Sequence, residues 1–582
     1  MKGFDILKVK SAVKSHNKFD LSRTHLTTMD FGQIIPLFNE ETVPGDRFHI
    51  SGDFFSRLAP LVKPTYGKFS FKTVSAFVPY YMVAEDVDAW MAGKTSWEGV
   101  TPVFRHFTIS TLHDFIVNFC AINNGSATNR DYVYIDSTGT TQYANFTNKG
   151  RYFVNILNSL GYALPQGVDE QTSSNWYSTV KPVKLSAYPI LAFFKLYNDY
   201  MSQSQRYNIS ALSNFLNNVK FNKSVSGYNN SDGSFSWVGL RTMFENLFLN
   251  YENDYFTSAW QNPNMPLAAA DSITSAAVPY GVASPAVGSS LYDNYIAQTG
   301  GSTLTLGQRS LDFLKSFDDW VRRNNYSGSR SVQQIYSRFG IKTEDYRSHF
   351  AQVISTDSLP VQVGDVTSTA DTSGSILGDY AGKGIMSGSK DINIQVSDYG
   401  LILILGYFTI TPMNAYGYDR KVLRNQPLDY YNPEFDGIGA DAISLGEVFE
   451  NPIADSSDTT LTTQVYGFTE RYNAYRYGRD QITGEFRDYD NDGTMNCWHT
   501  GRNLAAIRKA GNLVAQSTSM NTLPQSDSEY NRIFSITTGD VDHFYLTARF
   551  NVDAVRPMMN LNQVPKLGEG DTTVPRNGNV IS

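Results

Sequence analysis

Ten residues late in the chain constrain the fold most. Phe544, Leu546, Ala548, Phe550 and Val552 alternate with Tyr545, Thr547, Arg549, Asn551 and Asp553. Successive side chains of a strand point to opposite faces, so this period of two predicts a strand with one buried face and one polar face. An earlier segment reads the same way. Phe69, Phe71 and Thr73 lead into Ala76-Phe77-Val78, and Pro79, which has no N–H to donate, stops the ladder. Leu401–Leu405 continues into Tyr407-Phe408-Thr409-Ile410 as a nearly unbroken apolar run, which predicts a central strand buried on both faces.

Helical spacing falls between these strands. Phe313, Phe317, Trp320 and Val321 share one helical face, and Asn324-Asn325 end it. Further helices are expected from about Ile190 to Gln203 and from about Arg151 to Leu160. Their aromatic stripes read as packing faces, not cofactor sites. Two stretches read as loops reaching away from the core. Residues 217–236 carry turn chemistry throughout, and residues 261–305 are rich in Ala, Ser, Gly, Pro and Thr with little charge. No fixed-period repeat points to a solenoid or propeller. Strands at both ends with long excursions between them predict a β-sandwich with expanded loops, which chain entropy tolerates because closure cost grows slowly with loop length.

Composition agrees and narrows the class. Aromatics reach 14% while charged residues are only 18%, a balance that suits strands and polar loops and excludes a coiled coil or a disordered chain. A formal net charge of −8 excludes a generally basic nucleic-acid-coating protein, so any such contact must be local. The local candidate is residues 1–29, where Lys2, Lys8, Lys10, Lys14, Lys18 and Arg23 outweigh Asp5 and Asp20 for a charge of +4. Cys120 and Cys497 make no disulfide framework and are expected as buried thiols in a reducing compartment. The opening residues do not read as a secretory signal, and no apolar run is long enough for membrane insertion.

Catalytic signatures are absent: there is no phosphate-binding Gly-rich loop, zinc-protease helix or nucleophile elbow. Cys497-Trp498-His499 lacks a second cluster to complete a zinc site. The best metal candidate is a calcium loop at Asp488, Asp490 and Asp492, followed by Gly493, where alternate carboxylates converge as the chain coils. His499 stands where an EF-hand needs a bidentate Glu, so an irregular loop or a plain acidic turn is the expectation, and no cofactor is required.

Five blocks, in order, carry a resemblance. Within Phe19–Pro60 lie Gly32, Pro36, Val43-Pro44-Gly45-Asp46, Phe54 and Arg57-Leu58-Ala59-Pro60, with Phe77-Val78-Pro79 following. Then come Leu196-Tyr197-Asn198-Asp199-Tyr200, Asn253-Asp254-Tyr255-Phe256-Thr257-Ser258-Ala259, and Tyr430-Tyr431-Asn432-Pro433-Glu434-Phe435 to Gly439. The last is Tyr466 to Tyr472, with Tyr475-Arg476, Gly484, Phe486-Arg487 and Trp498-His499. Together they resemble the major capsid protein family of the microviruses, especially its gokushovirus-like branch. Ala259-Trp260-Gln261-Asn262-Pro263 and Met201-Ser202-Gln203-Ser204 depart from that branch and point to a related one, such as phages of gut Bacteroidota.

The resemblance implies a mainly β protein, an eight-stranded antiparallel jelly-roll sandwich with long loop and helix-containing insertions at about 121–180, 206–240 and 261–305. It implies residues 1–29 as a genome-facing arm, residues 30–582 as the capsid domain, and 261–305 as a surface protrusion. It further implies self-assembly into a minimal (T=1) icosahedral shell around circular single-stranded DNA, with pilot and small DNA-binding proteins, a host receptor, and assembly in the bacterial cytoplasm. The alternatives are a phage spike or glycan-binding β-protein and, third, an enzyme.

Overall fold

In a computed structural model, the structure describes residues 16–96, 99, 101–126, 128–135, 140–164, 183–202, 211–225, 227–245, 247–259, 336–337, 339–340, 350–367, 380–436, 440–448, 465–487, 495–502, 529–536 and 541–558. Two antiparallel sheets dominate. The first runs from β1 (Asn17–Asp20) and β2 (Arg23–Met29), which share one edge of β10 (Phe544–Arg556), through β4 (Arg47–Leu58) and β8 (Tyr380–Gln395) to β7 (Gln362–Thr367). The second has the order β6 (Gln352–Pro360), β5 (Lys68–Pro79), β9 (Gly400–Thr411), β3 (Ile35–Thr42).

The alternation in β10 is the observed burial. Phe544, Leu546, Ala548, Phe550, Val552 and Ala554 all turn inward, and none of them is more than 1% exposed. Between the sheets, aromatic rings interdigitate. Phe408 of β9 stacks on Phe544 of β10 at 4.0 Å, Phe38 of β3 meets Phe550 at 5.0 Å, and Phe54 of β4 meets Phe71 of β5 at 5.6 Å. This is the arrangement of a β-sandwich, in which two inner faces form one dry core. As expected, β9 lies between β5 and β3 and is buried along nearly its whole length, and β5 ends at Pro79.

The turn from β3 to β4 shows how one motif is read physically. In Val43-Pro44-Gly45-Asp46, Pro44 presets one turn position, and Gly45 adopts φ +96°, which a side chain would disfavour. The Asp46 carboxylate closes the turn by accepting from the Val43 N–H at 2.9 Å. Burial raises its pKa, opposed by that hydrogen bond and by Arg556.

Among the described residues, the longer helices occupy the connection between β5 and β6: α1 (Ile109–Phe115), α2 (Asn148–Ser159), α3 (Tyr188–Tyr200), α4 (Ala211–Lys220) and α5 (Trp237–Glu245). Thr147 caps α2 by accepting from the Gly150 N–H at 2.9 Å. Gly150 must remain small because a Cβ there would run into the Cys120 backbone. Apolar on nearly every side, α3 is buried all round. Phe244 of α5 gathers the group, touching Phe115 of α1, Phe153 of α2 and Phe194 of α3 at 5.0–5.2 Å. The expected helices near 151–160 and 190–203 are therefore present as α2 and α3.

Two expectations meet a different outcome. Residues 17–29 belong to the first sheet: β1 pairs with Asp553–Arg556 and β2 with Phe544–Phe550, so half of the expected arm is framework. The stretch 217–236 begins helically, through Lys220, and Asn222 at φ 50° turns the chain out of α4. It packs inward as well, with Phe235 buried in the main core and Tyr228 packed against it. The helix expected around Phe313–Val321 and the loop 261–305 lie outside the described residues.

Candidate functional site

Of the six candidate DNA-facing cations, Lys2, Lys8, Lys10 and Lys14 lie outside the described residues. Lys18 pairs with Asp553 at 2.8 Å, both partners solvated. Arg23 pairs with Glu40 at 3.0 Å, donates to the Asn39 carbonyl, and lies over the Phe38 ring at 4.1 Å. Both sit on the edge of the first sheet with their charge matched inside the chain. Asp488, Asp490 and Asp492 also lie outside the described residues. Among the described residues no group of three or more His, Cys, Asp or Glu side chains is placed to hold a metal. Gly501 N–H donates to Nδ1 of His499, whose Nε2 donates to the Phe486 carbonyl at 2.8 Å. With both ring nitrogens engaged, His499 is no ligand for a metal at Cys497.

The sequence blocks that carried the resemblance form clasps between distant segments. Asp199, at the end of α3, accepts from Lys195 Nζ at 2.7 Å and from the Ala351 N–H at 2.9 Å. Tyr200 donates to the Ala351 carbonyl at 2.6 Å, and Tyr197 to the Phe248 carbonyl at 2.8 Å. Helix α3 thus fixes the point where the chain re-enters the second sheet at β6.

A second clasp builds a small separate core from Tyr255, Phe256, Ala259, Ile443, Leu445, Val448 and Tyr466. Asp254 accepts from the N–H groups of Phe256 and Thr257 through one oxygen and from Asn414 and Arg502 through the other. Tyr255 donates to Glu447, which also holds Arg420 at 2.7 Å. Burial raises the Glu447 pKa, opposed chiefly by the Arg420 charge. Such a pair is worth keeping only when each atom is satisfied, because a lone buried charge is costly.

Buried titratable groups elsewhere also hold the fold. Both ring nitrogens of His543 face acceptors, Asp30 Oδ2 and the Ile536 carbonyl, each at 2.8 Å. Nε2 must carry hydrogen, and a proton shared with the Asp30 carboxylate, whose own pKa burial raises, puts charge on the ring when it sits on Nδ1. Burial opposes that charge, yet the Asp30 partner raises the His543 pKa. In contrast His113 faces the Tyr132 hydroxyl at 2.8 Å, and burial lowers its pKa to about 4.

The sequence reading missed a surface feature. Tyr430, Tyr431, Phe435 and Tyr475 are 39–54% exposed and lie together around the loop after β9. The Tyr475 hydroxyl accepts from the Tyr431 N–H at 3.2 Å, and Arg424 lies over its ring at 3.9 Å. Tyr430-Tyr431-Asn432-Pro433 offered the signal, since turn-forming Asn and Pro beside paired aromatics place rings on a loop.

A double antiparallel framework, clasped by buried polar groups and bearing an exposed aromatic surface, is the class of structure that serves assembly and binding. Comparisons with known proteins make that class specific. A family model described as capsid protein (F protein) matches residues 7–111 and 161–567. The capsid protein VP1 of Chlamydia phage 1 is 22% identical over 605 aligned positions, covering 94% of this chain and 95% of that protein. The capsid protein VP1 of Bdellovibrio phage phiMH2K is 20% identical over 596 positions, covering 95% of each. The chain belongs to this microvirus capsid protein family and is a major capsid protein, a structural component of the virion.

Proposed function

We propose that copies of the chain close into a minimal T=1 icosahedral shell around circular single-stranded DNA, with each sandwich an eight-stranded jelly roll. The capsid match over nearly the whole chain carries this reading. The strand order supports the jelly roll. Counting β1 with β2 and β6 with β7, which pass through Val361 from one sheet to the other, gives eight strands. Numbered by this count, the sheets run 1-8-3-6-5 and 2-7-4-5, with strand 5 crossing from one to the other, and this order supports a winding as two Greek keys.

In this reading the basic segment of residues 1–29 faces the genome. Lys2, Lys8, Lys10 and Lys14 supply phosphate contacts there, and Lys18 and Arg23 join them by exchanging Asp553 and Glu40 for phosphate. Residues 261–305 form an outward protrusion that contributes to host attachment, and residues 488–492 bind calcium through Asp488, Asp490 and Asp492. Pilot and small DNA-binding proteins join the shell, and assembly proceeds in the host bacterial cytoplasm. Among the described residues no helix is long and apolar enough to cross a membrane. The chain acts structurally and catalyses nothing.

The test is to purify particles from cells producing the phage, treat them with nuclease and extract what survives. Protected circular single-stranded DNA is the expected result. Particles that protect no DNA, or that protect duplex DNA, would overturn the reading.

A further inference from the structure

We infer that the aromatic surface after β9 is a contact with a second copy of this chain, received through that copy's carboxylates. The inference rests on the capsid reading, which requires copies to bind one another without saying where.

The surface is contiguous. Arg424 lies over Tyr475 at 3.9 Å, and Tyr475 meets Tyr431 at 6.1 Å between ring centres. Tyr431 meets Tyr472 at 5.2 Å, and Arg471 lies over Tyr472 at 5.2 Å and over Phe435 at 4.9 Å. Leu428 and Tyr430, each 54% exposed, extend it. A run of half-exposed rings costs free energy in water unless something covers it. Tyr and Arg are also the side chains that concentrate binding energy at protein contacts, because they offer large rigid faces with polar tips.

Two observations point to what covers it. Among the described residues, neither Arg424 nor Arg471 has a carboxylate or hydrogen-bond partner; each guanidinium lies over aromatic rings. A guanidinium so held is set to take a planar, bidentate acceptor such as a carboxylate. The neighbouring Arg476 takes Asp436 at 2.9 Å and Glu470 at 3.5 Å, so these two acids are not turned to Arg424 or Arg471. A second copy, with a formal net charge of −8, supplies carboxylates in excess. The backbone is also bent to the purpose. Tyr472 adopts φ 62° and is 3% exposed, and its hydroxyl has no hydrogen-bond partner among the described residues. Strain of this kind gathers where a surface is shaped for binding.

The test uses the full chain in four forms, of which the first three are wild type, R424E with R471E, and L428S with Y430S. Circular dichroism and thermal melting establish that each is folded, and sedimentation measures the fraction in closed particles. Both altered chains are expected to lose particles by about tenfold or more while staying folded. A third variant, R424K with R471K, keeps the charge but not the fork and is expected to lose fewer, which guards against misfolding of the others. Equal particle yields in wild type and variants would overturn the inference and leave the capsid reading standing. Normal particles that have lost DNA would also overturn it, making this a nucleic-acid surface. Wild-type chain that forms no particles would instead overturn the capsid reading, and this inference with it.

Discussion

The two cores of the molecule are held by different physics. Between the main sheets, the inner face of β10 is entirely apolar, and its rings meet those of β3, β4 and β9. In the small core around Tyr255 and Tyr466, few apolar residues are present, and Asp254, Glu447, Arg420 and Arg502 bind the segments together. The first core is generic: burial of apolar area drives it, and any strand of the right period can contribute. The second is specific, since each polar atom needs its own partner. The aromatic surface sits on this second region, so a fixed geometry beneath the exposed loop follows from clasps and not from bulk.

The sharpest way to break the comparison is Phe544→Ala. Its ring packs on Phe408 at 4.0 Å and on Phe31 at 4.8 Å, so the sandwich should lose about 3–5 kcal/mol. Denaturant unfolding should show the loss as a lower midpoint for the whole framework; an unchanged midpoint would place β10 outside the core. Glu447→Ala should cost about 3 kcal/mol, because Arg420 is left with the Ala442 carbonyl at 2.8 Å and, as carboxylate partner, Asp441 at 3.6 Å. The effect should be local. Hydrogen exchange should speed up in Ala440–Ser444 and Val465–Glu470 while β10 stays protected.

A pH series sharpens the account of the helical layer. His113 has its pKa lowered from 6.5 to about 4 by burial, so its contribution is full above the unfolded value and is lost as pH falls through that window. The loss should reach roughly 2 kcal/mol by about pH 5, and His113→Asn should flatten that part of the melting-temperature profile. Identical slopes would contradict a neutral buried ring. The smallest effect is Tyr200→Phe, which removes the hydroxyl bonded to the Ala351 carbonyl and should cost about 1 kcal/mol in a denaturant titration.

What the sequence made legible follows the same division. β5, β9 and β10 carry unbroken apolar patterns and were readable, as were α2 and α3. β4 alternates just as strictly in burial, but Gly52 and Ser56 occupy inward positions and hide the period. β8 is obscured by Gly382, Gly384 and Gly388, which read as loop. In the structure they are close-approach positions: a Cβ on Gly384 would stand 2.6 Å from Leu58, and one on Gly388 2.5 Å from Leu359. The pairing of β1 and β2 with β10 joins residues more than five hundred apart, which no local pattern encodes. The clasps were visible only as motifs. Nothing in Asp199 or Asp254 as residues says that Ala351 or Arg502 waits across the fold.

In the proposed function these sandwiches tile a closed container. Electron cryomicroscopy of particles purified from cells producing the chain tests it most directly. Icosahedral shells of a single size are expected, one copy per asymmetric unit, with the two sheets forming the wall. Open filaments, or only soluble monomers with the same folded sheets, would contradict it.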